Sequence, residues 1–85
     1  MISKEEAPVE WAMLMYELDD AREHLEKMMD SMTADPEFDE SVFRVELGHI
    51  FSHLNRAWHR RNVIGELEGH AWDEASKFPT DLDPS

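Results

Sequence analysis

Cysteine is absent from the chain, glycine occurs only three times, and lysine and arginine together only eight times. Without cysteine there is no disulfide, no thiolate nucleophile and no thiolate metal ligand. Three isolated glycines leave no loop of the kind that cradles phosphate. Eight basic residues against twenty acidic ones give a formal charge of −12, so nucleic-acid phosphates and anionic membrane surfaces repel the chain. No window reaches the roughly 18 to 20 apolar residues of a spanning helix, and Met1 to Glu6 form no apolar leader. The chain is therefore expected in the cytoplasm, with no nucleic-acid or membrane partner. Ser31, Ser41 and Ser52 lack the histidine and third orienting group of a nucleophilic triad, so no enzyme activity is expected.

What is abundant is helix-forming sequence with a heptad pattern. Trp11, Leu18, Leu25 and Met32 take a positions, and Leu14, Ala21 and Met28 take d positions. Pro8 suits the first turn, and neither glycine nor a further proline interrupts the run. One helix is expected from about residue 7 to 33. Asp35 and Pro36 then punctuate the chain as a cap and a first-turn proline for a second helix, expected from about 36 to 61. Phe43, Leu47, Ile50, Leu54 and Ala57 continue the seam there, and Phe51 and Trp58 widen it beyond what one facing helix covers.

Past Arg61 the pattern weakens, because Gly65 and Gly69 each cost about 1 kcal/mol relative to alanine in a helix. Two readings remain, a kinked continuation of the second helix to about 76 or a short third helix, and continuation is the expectation. Phe78 to Ser85, with two prolines, reads as a flexible tail outside a single domain of residues 1–77.

The fold class expected is thus all-α, an antiparallel helical hairpin. A continuous second helix would leave Ile64, Leu67 and Trp72 overhanging, and pairing of two hairpins into a four-helix bundle would cover them. Small domains commonly need such a supplement, since a chain of this size buries only about 60% of its unfolded surface.

Folding the hairpin about Asp35 brings residue n opposite residue 70 − n, at roughly that register. Glu10, Glu17 and His24 on the g row of the first helix then face Arg60, His53 and Glu46 on the g row of the second. Each pair joins an acid to a base. The plainest reading is an electrostatic ladder that selects the antiparallel register, with exposed pairs contributing about 0 to 1 kcal/mol each.

The alternative is a metal site. Glu46 and His49 have the i, i+3 spacing of carboxylate-bridged metal bundles. One ion would draw on Glu46, His49 and His24, with Asp20 beside them, and a second related site would lie around Glu17 and His53. Such nitrogen and oxygen donors suit zinc, iron or manganese. The basic group Arg56, His59, Arg60 and Arg61 is expected to neutralise the acidic start of the first helix. The hairpin pattern is common to many unrelated small proteins and points to no single family. The functional expectation is an acidic, homodimeric protein-interaction or assembly module, with a His/carboxylate metal-binding bundle as the alternative.

Overall fold

The computed structural model describes residues 1–84 of the 85. Three helices follow in order, α1 (Pro8–Ala34), α2 (Glu40–Arg60) and α3 (Gly69–Ser76). No strand occurs among the described residues, and no helix is long and apolar enough to cross a membrane.

α1 begins with Pro8 in its first turn, as the missing proline N–H allows. It runs 27 residues to Ala34. The turn that follows uses Asp35 differently from expectation. Its carboxylate accepts the Glu37 N–H at 2.9 Å and its carbonyl accepts the Phe38 N–H at 3.1 Å, an Asx turn with Pro36 inside it. Asp39 caps α2 instead, accepting the Val42 N–H at 3.0 Å from extended backbone. The second helix therefore starts at Glu40 rather than 36.

α1 and α2 form the expected antiparallel hairpin, but on rotated faces. On α1 the buried residues are Leu14, Glu17, Ala21 and Met28, and the α2 set includes Ile50, His53, Ala57 and Arg60. The α1 residues and these four of α2 lie on the d and g rows, and Asn55 and Arg56 on neighbouring rows of α2 are buried as well. The a row of α1, expected inside, stays largely open, with Leu18 40%, Leu25 42% and Met32 49% exposed. Ala21, Met28 and Ile50 make the central cluster, with Phe38, Phe43 and Leu47 packed against it. Alanine at d positions lets the helix axes approach. Burial of Glu17 and His53 on the g rows is tolerated because the two pair with each other across the interface.

The kinked continuation to 76 is not formed. α2 ends at Arg60, and the chain turns through Gly65 at φ +95, a backbone region that glycine enters at little cost. Glu10 stabilises this turn from α1, its Oε2 accepting the Gly65 N–H at 3.0 Å. α3 then returns along α2 rather than extending it, anchored where Asn55 Nδ2 donates to the Ser76 carbonyl at 2.8 Å. The expected overhang dissolves accordingly. Leu67 is buried, Trp72 lies over Arg56 with 4.1 Å between guanidinium carbon and ring centroid, and Ile64 alone of the three stays mostly open. The segment after α3 is irregular, with Phe78 against Phe51 (ring centroids 5.2 Å apart) and Asp81 accepting the Trp58 indole N–H at 3.0 Å.

Candidate metal centre

Glu17 and His24 lie seven residues apart on α1, two helical turns, and so share a face. His49, His53 and Arg56 share a face of α2 by steps of four and three. The hairpin register sets these two faces against each other at mid-height.

Glu17 is the hub. Its carboxylate, His53 and Arg56 are each less than a tenth exposed. Oε1 accepts from His53 Nδ1 at 2.9 Å and from Arg56 Nη2 at 3.3 Å, and Oε2 accepts from Arg56 Nε. Arg56 Nη2 and His53 Nδ1 stand 3.2 Å apart because both converge on the same oxygen. Arg56 Nη1 donates to Ser76 Oγ at 2.7 Å, and the guanidinium stacks on Trp72. A buried charge cluster of this kind is tolerated only when its hydrogen bonds are made, and here both oxygens of Glu17 are used.

This arrangement fixes the histidine tautomer. An ionised carboxylate only accepts, so His53 donates from Nδ1 and its Nε2 is the acceptor of a hydrogen bond from His49, a bond that an ion between the two rings would replace. Nε2 lies 3.2 Å from His49 Nε2. The His24 ring completes the group, with centroids 4.6 Å from His49 and 5.4 Å from His53, while His49 and His53 are 4.7 Å apart. One potential ligand atom from each of His24, His49 and His53 falls within 4.8 Å of the others. Adjacent nitrogens around a tetrahedral zinc, with Zn–N near 2.0 to 2.1 Å, are separated by about 3.3 Å. The His49–His53 spacing already matches, and His24 needs only a side-chain adjustment at the solvent edge.

The structure thus joins residues that the sequence assigned to two separate sites. His24, His49 and His53 come together in one donor group. Glu17 lies beside it, with both oxygens committed to orienting His53 and holding Arg56. Glu46 is outside the donor group and lines, with His24, His49 and Val45, an open cavity of about 290 Å3. Asp20 falls in a second group with Glu17 and His53. His49, on the c row, reaches the cluster because the helices have rotated toward their g rows.

Of the three expected charge pairs, Glu17 with His53 forms. Glu10 bonds the Gly65 amide instead of Arg60, whose Nη1 donates to Met13 Sδ at 3.5 Å. His24 and Glu46 share the cavity wall. Arg56, expected to neutralise the start of the first helix, belongs to the site. Its position three residues after His53 was the available signal. Ser76 and Trp72 were not foreseeable, because they arrive only through the return of α3.

The pKa of His49 is lowered from the ordinary 6.5, first by desolvation, then by the neighbouring His53, His24 and Arg56, against an opposing pull from Asp20. A lowered pKa keeps the imidazole neutral near pH 7, the form that binds metal. Comparison with family models, curated proteins and solved structures gives no match to the chain.

Proposed function

We propose that the protein is a metal-binding helical hairpin in which His24, His49 and His53 take a divalent transition metal. The observation that carries this reading is the carboxylate behind the buried histidine. Glu17 holds Nδ1–H of His53 and so turns Nε2 toward the other two rings, which is the outer-shell arrangement that metal-ligating histidines commonly have. A donor set of imidazole nitrogens suits zinc better than manganese, which favours carboxylates and water.

The test is metal analysis and titration of protein purified without nickel, stripped with chelator and dialysed. Zinc should bind at one ion per chain. At a free concentration 100-fold above Kd it should add about 2.7 kcal/mol of stability, which in a domain of this size is roughly 10 to 20 °C in Tm. Replacement of His24 and His53 together by alanine should remove both binding and the thermal shift. Stoichiometry far below one ion per chain, or unchanged binding in the double variant, sinks the proposal.

A second reading, assembly through a second copy, is favoured by a different observation. The a row of α1 is apolar and open, and no large side chain in the described residues is fully buried. A contiguous apolar flank of this kind is a common mark of an interface. Pairing of two hairpins along Leu18, Leu25 and Met32 gives the homodimeric bundle, and it leaves the histidine group on another face.

A further inference from the structure

The proposed ion would have three protein ligands, and the surroundings of the site say what takes the remaining place. Structural zinc sites are closed by four protein side chains, whereas sites that act on exogenous molecules keep three and leave the fourth position to water. Here the donor group is three histidines, two of them reaching solvent. Glu17, the nearest carboxylate to His53, has no free oxygen, since Arg56 and His53 occupy both. The cavity beside His24 and His49 opens to solvent, and Val45 and Glu46 also line it. With three imidazoles as its only protein ligands, the ion would keep high Lewis acidity and lower the pKa of a bound water toward about 7.

Resting on the metal reading above, we propose that the centre is open, its fourth position facing the His24–Glu46 cavity and held by water. That water exchanges for a small monodentate donor. Glu46, on the cavity wall, accepts a hydrogen bond from the bound water and, by its charge, disfavours anions in its place. Asp20 is the one rival for the position, because it already falls in a donor group with His53.

Cobalt(II) loading with visible spectroscopy tests this, since the band reports the ligands of the ion directly. In the cobalt-loaded protein, azide should shift the band saturably, one azide per cobalt. Asp20→Asn should respond as the parent does, and Glu46→Gln should bind azide severalfold tighter. A bound-cobalt spectrum that azide leaves unchanged in both parent and Glu46→Gln overturns the open position while leaving metal binding intact. A response confined to Asp20→Asn also overturns it, by assigning the fourth place to Asp20. Failure to load cobalt at all overturns the metal reading, and the open position with it.

Discussion

At the scale of single residues, most of the specificity of this molecule sits in Glu17. Two basic side chains converge on its two oxygens, and all three groups are buried. Removing one member of such a cluster leaves an uncompensated charge, a cost of about 3 to 5 kcal/mol. Glu17→Gln keeps the volume and removes the charge, so urea unfolding should show a loss near 3 kcal/mol. A loss below 1 kcal/mol would mean that Arg56 finds another partner. Arg60 is the opposite case. It is buried, bonded only to a methionine sulfur by its side chain, and its Nε has no hydrogen-bond partner among the described residues. An unpaired donor of this kind costs about 1 to 3 kcal/mol, so Arg60→Met should raise stability by about 1 kcal/mol.

His49 contributes a pH dependence. Its folded pKa lies below 6.5, so the unfolded chain takes up this proton first as pH falls. Its contribution is complete above about pH 6.5 and declines as pH drops through the folded value. In metal-free protein, the urea midpoint should fall between pH 7.5 and pH 5.5 by more in the parent than in His49→Gln. Equal falls in the two proteins would remove His49 from the explanation.

At the scale of elements, the long helices were legible because their apolar spacing is regular and glycine-free. The start of α2 was misplaced by four residues because two aspartates, Asp35 and Asp39, both look like caps, and only three-dimensional context assigns the first to an Asx turn. Charge pairing located Glu17 against His53. It did not reveal that the helices rotate to bury d and g rows, because that rotation depends on Arg56 arriving to satisfy Glu17. The third helix was one of two readings, and the left-handed Gly65 decides it.

α3 acts on the histidine site through Arg56. Ser76 and Trp72 hold the guanidinium that holds Glu17, which in turn orients His53. Outer-shell changes typically cost 10- to 100-fold in metal affinity. Trp72→Ala, two residues removed from the donor His53, should weaken zinc binding by about tenfold. Trp72→Phe keeps a face for the guanidinium and should recover most of it. Calorimetric titration of both variants checks this, and equal affinities in all three proteins would show that α3 is a packing element only.

At the scale of the whole molecule, an apolar flank and a charge of −12 pull in opposite directions. Leu18, Leu25 and Met32 on α1, with Leu54 on α2, are each 40–49% exposed. Finishing their burial in a dimer gives roughly 1 kcal/mol per side chain, from the 1.5 to 3 kcal/mol of a complete burial. Eight such side chains in two copies give a gain of about 8 kcal/mol, inside the range of about 4 to 15 kcal/mol that association costs before any affinity appears. The dimer should therefore be weak and concentration-dependent. Two like-charged copies also repel, and salt shortens that repulsion to a Debye length near 8 Å at 0.15 M. Sedimentation equilibrium at a few hundred micromolar should thus show more dimer at 0.5 M than at 0.02 M sodium chloride. Leu25→Glu places a charge in the middle of the open row and should leave only the 10.0 kDa species at either salt. Because the Leu25 side chain leaves α1 about 100° round from that of His24, that variant should bind zinc as the parent does. A parent protein that stays monomeric throughout this range would leave the open row as solvated surface, and the proposed metal would then be the one supplement left for the small core.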